Sequence, residues 1–324
     1  MISIKKTSQW LNPLAILAVA SLGWTAPSVA NEAYPTAAVD YFQGKDSIPL
    51  QVEPPAPSTI PLPAIPSDRP PLPRDNFGNF GSPIYQGTCA ANLDSVVRRI
   101  VGVNYGSRWG ILVEKLDTGE VLFAHNGDRG FIPASNQKIF TTAAALQRLN
   151  ANTPIRSKSS LQDWVMVINK RSHNGYADSL MRYLGGPGAA KATLAQLGVD
   201  PGAFRIADGS GLSRSNTTTP RALVDTLRAM YYSPQGQLFV ASLPVAGQNG
   251  TLTRRMRATP AQGNVYAKTG TLRGVRALSG YANNPTHGTL VFSILANDFS
   301  RSGDSLVRAI DQVVVQLNTM GDCR

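Results

Sequence analysis

The chain has 324 residues, with 31 lysines and arginines against 20 aspartates and glutamates, a formal charge of +11. A hydrophobic content of 42% excludes both a many-span membrane protein and a wholly unstructured chain, and the length allows one or two domains with full cores. Three scattered histidines and two distant cysteines supply no metal-ligand cluster, so no metal and no cofactor is expected. The excess of positive charge points to anionic partners, among which nucleic acid is disfavoured for want of any basic–aromatic repeat.

Residues 1–30 read as an export signal. Lys5 and Lys6 open it, Leu14 to Leu22 form a short apolar run, and Ser28 and Ala30 place small side chains at a cleavage point. The apolar run falls short of the roughly 20 residues that span a bilayer, so no transmembrane anchor is expected after cleavage; an uncleaved anchor is the alternative. Residues 31–88 read as a tether, since nine prolines between Glu53 and Pro73 favour extended backbone over helix or sheet. The arm carries three basic and six acidic residues, which leaves 26 basic and 14 acidic residues for 89–324. In the oxidising space that an export signal implies (periplasm or extracellular wall), Cys89 and Cys323 are expected to pair. That bridge would close a loop worth about 4–5 kcal/mol in the chain-entropy model.

From Cys89 onward the pattern is that of a packed α/β domain. Helix is expected over Ala91–Val101, and strands over Trp109–Lys115 and Glu120–His125, joined by the turn Asp117-Thr118-Gly119. That tripeptide also matches an aspartic-protease motif, but no second copy exists to supply the matched carboxylate, so it is read as a turn. Ser135–Leu149 follows as a helix and Val165–Ile168 as a short apolar strand. Helices are then expected over Tyr176–Leu184, Ala189–Leu197 and Thr219–Tyr231. Strands Tyr266–Thr271, Arg276–Ala282 and Thr289–Asn297 precede a last helix, Asp304–Asn318. Strands at both ends with helices between them predict one sheet built from distant segments around a helical insert.

Three short motifs carry chemistry. Ser135-Asn136-Gln137-Lys138 at a helix start puts a hydroxyl and an amine on one face, and a desolvated lysine can take the serine proton. Alone this is weak, since Ser3-Ile4-Lys5-Lys6 matches it inside the export signal, and an N-cap with a solvated lysine is the plain alternative. Ser172-His173-Asn174 offers a hydroxyl to relay a proton and an amide to orient substrate or the lysine; a polar turn before the next helix is the alternative. Lys268-Thr269-Gly270-Thr271 on a strand makes an anion-binding edge on which an extended ligand can add, with the glycine allowing close approach. Its alternative is an ordinary exposed edge strand guarded by a lysine.

In this order the three motifs resemble those of penicillin-recognising serine enzymes. The flanking stretches Phe131-Ile-Pro-Ala-Ser135, Asp208-Gly-Ser-Gly-Leu-Ser-Arg-Ser-Asn216 and Leu243-Pro-Val-Ala-Gly247 are similar to those of the serine-type D-Ala-D-Ala carboxypeptidases and endopeptidases, the class C low-molecular-mass penicillin-binding proteins. The resemblance covers nearly all of 89–324. It implies a penicillin-binding-protein/β-lactamase-like α/β fold, an antiparallel sheet flanked by helices plus a helical subdomain. It implies peptidoglycan stem peptides as substrate and β-lactams as inhibitors. It further implies Ser135 as nucleophile, Lys138 as its base and Ser172 as the proton relay, with Lys268 holding the network. Asn174 would hold the acyl chain, and Lys268, Thr269, Gly270 and Thr271 the terminal carboxylate and oxyanion. Two departures stand out. Only 37 positions separate Ser135 from Ser172, so the large insert domains of the family are absent or reduced to Asn150–Asp163, and His173 stands where the family often has aspartate. His173 is read as a bystander. Arg254, Arg255 and Arg257 form a basic run that either meets anionic wall polymer or is a solvated face.

Overall fold

The computed structural model describes residues 89–102, 106–156 and 159–323. The export signal and the proline-rich arm expected over 1–88 lie outside them.

Nine strands and eight α-helices are found among the described residues. Strands β1 (Trp109–Lys115), β2 (Val121–His125), β7 (Val265–Leu272), β8 (Val275–Asn284) and β9 (Gly288–Asn297) form one antiparallel sheet in the order β2-β1-β9-β8-β7. The first and last strands of the sequence thus lie side by side, Trp109 opposite Ala296, as the arrangement of strands around a helical insert predicts. The β1–β2 turn forms at Asp117–Gly119, where Gly119 takes φ 75° and the Asp117 carboxylate accepts from the Thr118 amide.

Because strand side chains alternate between faces, a strand that is apolar throughout needs cover on both sides. On β9, Leu290, Phe292, Ile294 and Ala296 join one core while Val291 and Leu295 join the other. Trp109, Ile111 and Val113 of β1 extend the first. Helices α1 (Leu93–Val101) and α8 (Gly303–Thr319) cover that face. The opposite core packs against α2 (Gln137–Arg148), α3 (Leu161–Lys170), α4 (Asn174–Tyr183), α5 (Gly186–Gln196), α6 (Pro220–Tyr231) and α7 (Gly236–Ser242).

One expected element takes a different form. Val165–Ile168 is not a strand but the middle of α3. Ser160 caps that helix by accepting from the Asp163 amide, while Asp163 accepts from the Ser160 amide in a reciprocal capping box. Leu161, Trp164, Val165 and Ile168 are buried at helical spacing, which outweighs the β preference of the Val-Met-Val-Ile run. Among the described residues of the Asn150–Asp163 stretch, β3 (Pro154–Arg156) and β4 (Ser159–Ser160) pair antiparallel before α3 begins. Helix α7 and the ribbon of β5 (Phe204–Arg205) with β6 (Thr217–Thr218) were not anticipated.

Cys89 and Cys323 form the expected disulfide, their Cα atoms 4.9 Å apart across a sequence separation of 234. The bridge accords with an extracytoplasmic, oxidising compartment. Among the described residues no helix is long and apolar enough to cross a membrane.

Candidate active site

The nucleophile candidate sits in a tight turn between β2 and α2. Ser135 is half-buried in a single 3-10 turn, Ala134–Asn136, and Ala134 holds φ 48°, a left-handed conformation costly for a residue with a Cβ. Three contacts hold this turn. Asn136 donates to the Ser279 hydroxyl (2.7 Å), which in turn donates to Ser293 (2.9 Å), so the turn is fastened to β8 and β9. Gly211 approaches so closely that a Cβ there would lie 1.9 Å from the Ala134 carbonyl oxygen. At Gly270 a Cβ would lie 2.6 Å from the Pro133 carbonyl oxygen, so the glycine of Lys268-Thr269-Gly270-Thr271 is required by the protein's own close packing.

Lys138 is fully buried one turn into the helical segment. Its Nζ lies 3.0 Å from Ser135 Oγ, 2.8 Å from Asn174 Oδ1 and 2.5 Å from the Ser210 carbonyl oxygen. Two of these partners can only accept. A neutral lysine has two N–H bonds and one lone pair, so Asn174 and Ser210 take both N–H bonds and leave the lone pair facing the Ser135 hydroxyl. Burial pushes this lysine down to about 8, and the Asp178 and Asp208 carboxylates pull the other way.

A second serine–lysine pair faces the first. Lys268, on β7 and also fully buried, donates to Ser172 Oγ (2.9 Å) and to the Thr269 carbonyl (3.0 Å). This burial removes the alternative of a solvated guard lysine on an edge strand. Desolvation first, and the charge of Lys138 second, hold its amine well below the usual lysine range. Ser172 lies between α3 and α4 with φ 56°, another left-handed non-glycine residue. Two residues later Asn174 opens α4, so the second motif touches both lysines. His173 is the N-cap of α4: its Nδ1 accepts from the Tyr176 amide (3.2 Å) and its ring packs on Tyr176. Burial and the charge of Lys138 lower its pKa. That is a structural role, in keeping with the bystander reading.

Thr269 is buried and shares a 2.7 Å hydrogen bond with the Thr251 hydroxyl, while Thr271 is exposed at the open end of β7. The structure thus brings Ser135, Lys138 and Asn174 into one hydrogen-bonded group. Ser172 and Lys268 form a second, and Thr269, Gly270 and Thr271 line the strand beside the nucleophile turn. The Ser210 carbonyl and Thr251 were not singled out from sequence. A backbone acceptor leaves no side-chain signature, although Ser210 lies inside the Asp208–Asn216 stretch. There Asp208 accepts from the Gly211 and Ser213 amides, both at 2.6 Å, and shapes the loop that delivers the carbonyl. In the basic run, Arg255 pairs with Asp311 and is structural, while Arg254 and Arg257 are exposed.

The model of the D-Ala-D-Ala carboxypeptidase 3 (S13) family matches residues 89–160 and 154–320, nearly the whole described domain. The chain belongs to this family. A D-alanyl-D-alanine carboxypeptidase of an Actinomadura species is 40% identical over 177 residues, covering 50% of this chain and 32% of its own length. The D-alanyl-D-alanine carboxypeptidase DacB of Haemophilus influenzae is 32% identical over 158 residues, 44% of this chain and 33% of its own. The chain therefore spans about a third of the length of these curated relatives. In fold, this family member superposes on the crystal structure of penicillin binding protein 4 from Haemophilus influenzae with a TM-score of 0.59 at 16% identity, covering 70% of this chain and 99% of that one. The β-lactamase from Streptomyces albus G gives 0.57 at 23% identity, covering 70% and 100%. The fold is that of penicillin-binding proteins and β-lactamases.

Proposed function

We propose that this member of the family is an exported serine-type D-Ala-D-Ala carboxypeptidase that acts on peptidoglycan stem peptides and is acylated by β-lactams. The observation that carries the reading is the buried Lys138 amine, 3.0 Å from Ser135 Oγ, with its other hydrogens committed to Asn174 and Ser210. Lys138 takes the Ser135 proton as Oγ attacks the carbonyl between two D-alanines. The backbone N–H groups of Ser135 and Thr271 hold the oxyanion. Ser172, held by Lys268, passes its proton to the departing D-alanine amine as the amide bond breaks and takes in its place the proton that Lys138 received from Ser135, which returns Lys138 to the neutral amine. Lys268, Thr269 and Thr271 hold the terminal carboxylate, and the free N–H bonds of Asn174 hold the acyl chain. Water then cleaves the serine ester, with Lys138 again as base. A β-lactam ring opens by the same attack, but its leaving amine stays tethered. Support for β-lactam acylation comes from relatives: one is named a penicillin-sensitive carboxypeptidase A, from Dictyostelium discoideum, and penicillin binding protein 4 of Haemophilus influenzae has been crystallised with a β-lactam.

Two rivals share the fold, a serine β-lactamase and a non-catalytic wall scaffold. Labelling with a fluorescent penicillin separates the last: the wild type is expected to label and Ser135→Ala not, and equal labelling of the two overturns the catalytic reading. Rapid multiple turnover of a chromogenic cephalosporin favours the β-lactamase. Release of D-alanine from a pentapeptide, against cleavage of a cross-linked dimer, separates carboxypeptidase from endopeptidase.

A further inference from the structure

The free edge of β7 is shorter than the strand. The Ala246 amide donates to the Val265 carbonyl (2.9 Å) and the Ala267 amide to the Pro244 carbonyl (2.9 Å), while Val245 bridges antiparallel to Tyr266. Since β8 occupies the other side of β7, residues 244–246 cover the outer side of 265–267. An extended ligand can therefore pair with this edge only from Lys268 onward.

Thr251 stands at that boundary, on a loop clamped from beneath. Lys170 of α3 donates to the Leu243 carbonyl (2.5 Å) and to Asn249 Oδ1 (3.0 Å), and Asn249 Oδ1 also accepts from the Val245 amide (3.0 Å). Gly250 has φ +58°, and a Cβ there would lie 2.8 Å from the Lys170 carbonyl oxygen, so only glycine lets the loop sit this close to α3. Leu252 on the far side is fully buried, and its carbonyl accepts from the Gly247 amide (3.0 Å). The exposed residue between these two anchors presents its hydroxyl 2.7 Å from that of Thr269.

Each hydroxyl carries one proton and two lone pairs. Between Thr251 and Thr269 one proton is shared, which leaves the other free to donate outward. A group that only accepts hydrogen bonds complements this pair, and a carboxylate is such a group. We propose that Thr251 is a third hydroxyl of the terminal-carboxylate pocket, beside Thr269 and Thr271, and that with segment 244–246 it selects leaving residues whose carboxylate is free. The inference rests on the peptidase reading above and names a specificity residue for it.

The test uses the full chain and two acylated peptides ending in D-Ala-D-Ala, one with a free carboxylate and one with a C-terminal amide. Steady-state release of the last residue is measured for the wild type, Thr251→Val, Thr251→Ala and Thr251→Ser. With one charge-assisted hydrogen bond lost, Thr251→Val and Thr251→Ala are expected to raise KM for the free carboxylate about 10–100-fold, with kcat within about twofold. Thr251→Ser is expected to match the wild type. On the amide peptide, wild type and Thr251→Val are expected to be equal. An unchanged KM in Thr251→Val and Thr251→Ala, or an equal loss on both peptides, overturns the role of Thr251 while leaving the peptidase reading intact. A wild type that neither releases D-alanine nor labels with penicillin overturns the peptidase reading and this inference with it.

Discussion

The pH dependence of acylation follows directly from the burial of Lys138. In the proposed mechanism the amine acts as base only when neutral, and its pKa is lowered to about 8, chiefly by desolvation. The neutral fraction is then about one-eleventh at pH 7, one-half at pH 8 and nine-tenths at pH 9. The sign is set by the form that reacts: loss of a proton from the free enzyme switches activity on, so the rate climbs with pH. The second-order rate constant for labelling with a fluorescent penicillin reports the free enzyme, and it should rise about fivefold from pH 7 to 8 and about twofold more by pH 9. Asp178 and Asp208 favour the ammonium, and Asp208 is committed to its loop, which leaves Asp178 as the group to change. In Asp178→Asn the midpoint should move to lower pH. A rate that is flat or falls between pH 7 and 9 would refute Lys138 as the base. An unmoved midpoint in Asp178→Asn would refute the electrostatic account of its tuning.

Other outcomes are expected of the same geometry. Gly270→Ala drives a methyl group into the Pro133 carbonyl and the Ala277 side chain, so acylation should fall at least about tenfold. Gly130→Ala is the control, since nothing lies within 4 Å of a Cβ there, and equal acylation rates in the two variants would contradict the packing argument. Replacing Cys89 and Cys323 by serine should cost up to about 5 kcal/mol, a fall in Tm of roughly 10–20 °C by calorimetry; a shift below about 3 °C would show that the bridge contributes little.

The residues of the candidate site were more legible in the sequence than the backbone that supports them. Ser135, Lys138, Ser172, Asn174 and Lys268 could be picked out because side-chain function needs particular residue types in a particular order. The sheet was legible too, since Trp109–Lys115 and Thr289–Asn297 are apolar runs that end at recognisable turns. What was hidden lies in the backbone. The Ser210 carbonyl fixes the lysine with an atom every residue has, and the left-handed turns at Ala134 and Ser172 are imposed by packing, not by local preference. At Gly270 the residue was noted but its reason was not, because its neighbour Pro133 is 137 positions away. Val165–Ile168 was misread since a β-branched run obscured a capping box five residues upstream.

The disulfide also changes how far apart two neighbouring interior strands of the sheet, β1 and β9, are for a folding chain. Along the backbone, Trp109 and its partner Ala296 are separated by roughly 187 residues, a highly non-local pairing. Through the Cys89–Cys323 bridge the path is roughly 20 residues on one side and 27 on the other, about a quarter as long. Two halvings of loop length lower the closure cost by about 1.2 kcal/mol. An oxidised chain thus meets its longest-range strand pairing as a moderately local one, and the order of oxidation and β1–β9 docking sets how quickly the turn that carries Ser135 acquires the sheet it leans on.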